Sequence, residues 1–260
     1  MFVACRKRVV HLPDGREIDF GCWDLRDFVQ PRSYAARQLE SMAMQEYTNS
    51  REVYDPYVQA WGIVPTLTKI MWNIVNRAIG YRHDDPVFQT PDFWMLPNET
   101  WHMKAGDCED STLLLASAVE LAKEMFGGFD PAESTVFAVL GYYNAGDALY
   151  GHAYVLFRNP RIVDRWLWIE TTWDEEVPIN VWYVWDPNKL IPVYFGNSRV
   201  FYRIDQHYDV LGLSKSYVDQ WWDAIQAMIE YVESGRWLKN RWMHKKIRPV
   251  PKPVGGVVIR

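Results

Sequence analysis

The sequence predicts an α+β fold in which helices pack against an antiparallel sheet. Three observations carry this reading. Helical periodicity fills the first half of the chain. Short β-branched and aromatic runs, broken by Gly, Asn, Asp and Pro, fill most of the second half. The two kinds do not alternate, as they would in a doubly wound parallel sheet.

RVVHL and EIDF alternate apolar and polar residues on either side of Pro13-Asp14-Gly15, so residues 1–34 read as a hairpin followed by a loop. Cys5 and Cys22 flank that turn, and its loop length decides whether they face each other. Helical spacing spans residues 33–49 and 55–79, with Pro65 expected to break or kink the second segment. Three prolines and many turn formers make residues 80–103 an irregular, aromatic-rich loop. Over residues 108–126, Leu114, Leu115, Ala118, Val119, Ala122 and Met125 form one apolar face. Glu109 and Asp110 occupy its first turn, and Gly127-Gly128 ends the helix. Strands are expected at 136–143, 152–157, 166–172, 181–185, 190–194 and 199–204. A last helix covers residues 217–234, opened by Ser216 with Asp219 three residues on and stopped by Gly235. The closing RPVPKPVGGVVIR reads as an extended arm or a disordered end.

At 260 residues the chain can bury its own core without disulfide staples, and 48% hydrophobic against 23% charged residues excludes a disordered or collagen-like chain. No run approaches the roughly 18 apolar residues of a membrane span. MFVACRKRVV places its charges after its apolar residues, the reverse of an export signal, so a cytoplasmic protein with no membrane partner is expected. Three cysteines suit a reducing compartment, and no Cys/His spacing matches zinc. Fourteen Trp suit either a large core or an aromatic groove for an extended ligand. The net charge of −5 hides an asymmetry, because the segment from Arg236 to Arg260 holds eight Lys or Arg and no acid. No nucleic-acid fold signature accompanies these residues. A solvated arm, or one docked on the acidic body, is therefore expected rather than a nucleic-acid partner.

Cys108 lies in AGDCEDST, at the start of the helix over residues 108–126. Unpaired N–H groups and the positive end of the macrodipole favour a thiolate there, and the same amides can donate to an oxyanion. The flanking Asp107 and Glu109 act in the other direction unless a cation compensates them. A buried helix cysteine is the plain structural alternative, and the helix-start position argues for the nucleophile. Among six histidines, His152 opens the apolar strand GHAYVLF, where a ring at a strand end can face a cleft.

The stretch YRHDDPVFQTPDFWMLPNETWHMKAGDCEDSTLLLASAV resembles the cysteine motif of the transglutaminase-like superfamily, in its bacterial cysteine-peptidase form. In that motif a Trp, a Pro-x-Glu-Thr and a Gly-Asp-Cys-Glu-Asp open the nucleophile helix. GHAYVLF and WLWIETT are similar to the family's His and acid strands, so the likeness covers residues 80–175 in the order Cys, His, acid. The resemblance implies a papain-like core over residues 80–205, with the nucleophile helix packed on an antiparallel sheet. Residues 1–79 are then an N-terminal hairpin and helices packed on that core, and residues 206–260 a C-terminal helix and basic Pro-rich tail, together one compact unit. It further implies Cys108 as nucleophile, His152 as general base and Glu170 where the family usually has Asp. Some members bind calcium through the carboxylates beside the cysteine, here Asp107 and Glu109, which could equally serve the helix dipole. Asp84 and Asp85 could add ligands or cap a turn. No other cofactor is implied.

The expected reaction is hydrolysis of a peptide or isopeptide amide in a peptide or protein substrate, through an acyl-enzyme. Trp94 and Trp101 would line the groove, with Gln89 or Trp94 as side-chain oxyanion donor. Acyl transfer from glutamine to an amine on the same triad is the alternative, and a non-enzymatic scaffold, for instance in a viral particle, is another. For the acid, setting Leu156 opposite Trp166 places His152 opposite Glu170. Asp174 then lies about 13 Å further along the strand.

Overall fold

The computed structural model describes residues 6–11, 17–23, 25–83, 94–130, 132–234 and 257–258. Strands β1 (Arg6–His11) and β2 (Glu17–Trp23) form the expected hairpin, with Lys7 opposite Cys22. Its turn and Cys5 lie outside the described residues. Helices α1 (Leu25–Phe28) and α2 (Tyr34–Asn49) follow. Ser33 caps α2 by accepting the Ala36 N–H at 3.1 Å.

The helix expected over 55–79 is two helices, α3 (Arg51–Trp61) and α4 (Ile63–Ala78), and it breaks at Gly62 rather than Pro65. Gly62 has φ 108°, a conformation closed to most other residues. Pro65 sits in the first turn of α4, where a missing N–H removes no helical hydrogen bond. α4 is buried nearly all round, Lys69 included. The Lys69 ammonium lies 4.0 Å from the Trp72 ring centroid and 4.9 Å from that of Trp182, and it donates to the Val181 carbonyl.

The aromatic loop is shorter than expected. β3 (Gly80–Tyr81) pairs in parallel with β4 (Ala105–Gly106), and between them stands α5 (Pro97–Met103). Pro97 opens α5, and the Glu99 carboxylate accepts the Leu96 N–H at 2.7 Å. Next comes α6 (Cys108–Phe126), at the bounds the sequence predicts and buried from Cys108 to Ala122. Met125, expected on its apolar face, is exposed.

The strands follow as β5 (Thr135–Asn144), β6 (Leu149–Asn159), β7 (Val163–Ile169), β8 (Val181–Val184), β9 (Leu190–Gly196), β10 (Phe201–Arg203) and β11 (Val257–Val258). They form one sheet of order β10-β9-β5-β6-β7-β8-β11 in which every neighbouring pair is antiparallel. α6 packs on β5 and β6, with α2 and α4 against its other side. The structure is thus the expected α+β arrangement of a central helix on an antiparallel sheet.

Past the sheet lie α7 (Ile204–His207), α8 (Lys215–Gln220) and α9 (Trp222–Ser234). The expected last helix is divided at Trp221. Its cap is Ser214, which accepts the Tyr217 N–H, and not Ser216. Of the basic tail only β11 is described, as a short strand on the edge of β8. Among the described residues no helix is long and apolar enough to cross a membrane.

Candidate active site

The β6–β7 ladder differs from the expected register by two residues. Leu156 stands opposite Trp168, not Trp166, and pairing stops at Val155 and Ile169. The expected register is the one set by Asn159 opposite Val163 beside the turn. An irregularity between Phe157 and Asn159 inserts two extra residues on β7 and shifts everything beyond it. Continued past the ladder, the observed register sets His152 opposite Thr172, with Glu170 a diagonal neighbour on the same face. Glu170 spans that diagonal. Its Oε2 lies 2.8 Å from His152 Nε2, and both side chains are fully buried. Asp174, the other candidate acid, is exposed.

The second Glu170 oxygen, Oε1, accepts the Thr172 N–H at 3.0 Å and the Thr172 hydroxyl at 2.6 Å. Its backbone carbonyl accepts the Trp72 indole N–H at 2.5 Å, from α4. Thr171 shares a 3.3 Å hydrogen bond with Thr112, one turn along α6 from Cys108. Because a carboxylate only accepts, His152 carries its proton on Nε2 in this arrangement. Its Nδ1 is buried and, among the described residues, has no hydrogen-bond partner.

Cys108 is 5% exposed, in contrast to the accessible thiol expected at a helix start. Its sulfur accepts a hydrogen bond from the Ala153 N–H, one residue from His152, and its S–H donates to Glu109 Oε2 at 3.3 Å. Burial pushes the thiol well above its ordinary range, and the charges of Glu109 and Asp107 push the same way, against the Ala153 N–H. These are the like charges that oppose a thiolate unless a cation compensates them.

Ligand atoms of Asp107, Cys108 and Glu109 lie within 4.8 Å of one another, all buried. The two carboxylates offer the hard oxygens that suit calcium, as part of the six to eight oxygens such an ion takes. Asp110 is occupied otherwise. Its Oδ1 accepts the Met95 N–H at 2.7 Å and its Oδ2 the Asp107 N–H at 3.3 Å, which fixes the Trp94 segment to the helix start. This closeness needs Gly106, where a Cβ would stand 2.7 Å from Asp110 Cβ.

Trp94 is buried edge-on against Phe28 at 5.3 Å. Trp101 is half-buried, with the Lys104 ammonium 3.0 Å from its ring centroid. Gln89, Asp84 and Asp85 lie outside the described residues. Tyr81 was not singled out by the sequence. Burial raises its hydroxyl pKa, and the charges of Cys108, Asp107, Glu109 and Glu170 act in the same direction. Trp72 was also missed, since on an apolar helix face nothing distinguishes it from any other core residue. The Thr pair after Glu170 is visible in WLWIETT, but the role of its hydroxyls depends on the shifted register.

No family model matches the chain, and no curated protein matches it. Among solved structures it is similar to Legionella pneumophila LapG, at 18% identity over 75% of this chain and 97% of that one, with a TM-score of 0.37. The calcium-bound form of LapG is similar at 16% identity over 74% of this chain and 98% of that one, with a TM-score of 0.37. A candidate cysteine protease from Cytophaga hutchinsonii is similar at 15% identity over 75% of this chain and 54% of that one, with a TM-score of 0.35. The likeness is distant. At this distance it says nothing about chemistry, which rests on the chain's own atoms.

Proposed function

We propose that the chain is a thiol-dependent amide hydrolase acting on a peptide or protein through an acyl-enzyme. One observation carries this reading: a buried His152 whose Nε2 is held by Glu170 and whose Nδ1 has no partner among the described residues, next to a residue that hydrogen-bonds the Cys108 sulfur.

In this mechanism Nδ1 takes the thiol proton as sulfur attacks the carbonyl carbon. A C–S bond forms and an electron pair moves to the carbonyl oxygen. Amides at the start of α6 stabilise that oxyanion. Collapse breaks the C–N bond, and the leaving amine takes the proton from Nδ1. Water then gives a proton to Nδ1 and attacks the thioester. The C–S bond breaks, the acid is released and the thiol regains its proton. Trp94 and Trp101 belong to the substrate groove in this reading.

Asp107 and Glu109 are the residues that would hold calcium, which would supply positive charge beside the sulfur and draw Glu109 from the thiol. The Glu109–thiol hydrogen bond is the feature such a charge would release.

The test is alkylation of the native protein by iodoacetamide, followed by peptide mass spectrometry. Cys108 should be modified more slowly in His152→Ala, which removes the base that draws the proton from the buried thiol, and an unchanged rate sinks the enzyme reading. Release of free acid from a peptide amide, against incorporation of a labelled primary amine, separates hydrolysis from acyl transfer.

A further inference from the structure

We infer that Thr172 is a positioning residue for the acid: by holding one oxygen of the Glu170 carboxylate it aims the other at His152. The inference rests on reading Cys108, His152 and Glu170 as a triad.

Glu170 is one residue past the end of β7, so no ladder hydrogen bond fixes it. Its carboxylate is fully buried and cannot turn to water. Both Thr172 donors converge on Oε1, at 3.0 Å from nitrogen and 2.6 Å from the hydroxyl, while Oε2 meets the imidazole at 2.8 Å. Rotating the carboxylate off the ring would break both Thr172 hydrogen bonds in a place with no solvent to replace them.

The neighbouring contacts act on the backbone instead. Trp72 holds the Glu170 carbonyl, and Thr171 ties the segment to α6 through Thr112. Thr172 alone among these acts on the carboxylate. An acid that turns freely no longer selects the Nε2–H tautomer, and Nδ1 is then protonated part of the time and cannot accept from the thiol.

The experiment uses full-length protein with isotope-labelled histidine, and His152→Gln to assign the signal. Wild type should show His152 as one tautomer, protonated on Nε2. Thr172→Val keeps the shape and the N–H but loses the hydroxyl, and it should add a second form protonated on Nδ1. Cys108 alkylation by iodoacetamide should slow in parallel, and turnover of a peptide amide should fall on the order of 10²-fold in kcat with KM little changed. Thr172→Ser should restore one tautomer and both rates.

A single tautomer in a folded Thr172→Val protein overturns the inference. Should that variant not fold, Thr172→Ala takes its place. If both unfold while Thr172→Ser folds, the hydroxyl serves the fold and the inference is overturned. The spectra do not depend on turnover. Hydrolysis retained in Cys108→Ser would refute the triad itself, a separate outcome.

Discussion

Replacing Glu170 by glutamine preserves volume and asks one question: which way the amide points. Two donors of Thr172 converge on the Oε1 position, so the amide oxygen belongs there. The amide NH₂ must then face His152 Nε2, where the carboxylate oxygen had been 2.8 Å away. A donor cannot face a donor. The imidazole answers by moving its proton to Nδ1, which leaves no base for the thiol. In triads where an acid-to-amide change forces the wrong tautomer the loss is about 10⁴-fold, and the same loss is expected here. It corresponds to a barrier higher by about 5.4 kcal/mol. The assay is kcat for a peptide amide alongside thermal melting, which should change little because every hydrogen bond is kept, the one to His152 with donor and acceptor exchanged. Asp174→Asn, at an exposed position, is the control and should be nearly silent. If Glu170→Gln keeps most of the activity, or Asp174→Asn is the crippling change, the tautomer argument fails and so does the assignment of the acid.

Cys108→Ser should abolish turnover while the Tm stays within a few degrees, since a buried hydroxyl can still donate to Glu109; peptide-amide hydrolysis and a melt check both. EGTA should lower activity or Tm and added calcium should restore it, and an unchanged melt and rate would return Asp107 and Glu109 to the helix dipole. Gly106→Ala places a Cβ 2.7 Å from Asp110 Cβ, so chemical denaturation should show about 1–3 kcal/mol lost to overpacking, together with slower Cys108 alkylation. Burial raises the Glu40 pKa, so the folded state binds the proton more tightly and stability falls as pH climbs from the unfolded carboxyl range through the folded pKa. Glu40→Gln should therefore raise the Tm at pH 7 and leave it unchanged at about pH 3, below both pKa values.

What could be read ahead of the coordinates followed from local signals. The helix that begins at Cys108 shows its period, its acidic first turn and its Gly-Gly stop within one window, and its bounds agree with the structure. The strands show as β-branched runs, although the first two extend beyond the expected limits and the third both begins and ends three residues early. What failed depended on competing local chemistry. Pro65 looks like a breaker, yet Gly62 breaks the helix because a first-turn proline loses nothing and a left-handed backbone does. The α5 turn carries legible signs, Pro97 at its start and Glu99 behind it, but seven residues are too few for periodicity. At the site, Glu170 meets His152 although the predicted pairing was wrong, because two extra residues on β7 move the acid off the directly opposed position and a Glu side chain spans the diagonal. That length gives a physical reason for Glu at a position where the resembling family usually has Asp. Trp72 is 98 residues from Glu170, and no pattern in the chain links an indole on a core helix to a distant carbonyl.

The segment carrying Glu170 belongs to neither layer of the fold. Past the last rung of β7 it is fastened by Trp72 from one helix and Thr112 from another, so the His152–Glu170 pair is assembled across a seam between layers. A sheet can keep its ladder while helices loosen from it, and partial opening needs less free energy than global unfolding. The acid is thus coupled to how tightly α4 and α6 sit on the sheet. Anything that slackens that seam, from a distant core substitution to mild denaturant, would disarm the imidazole while the strands stay paired. Functional integrity and global stability then become separate quantities, with helix docking setting the first.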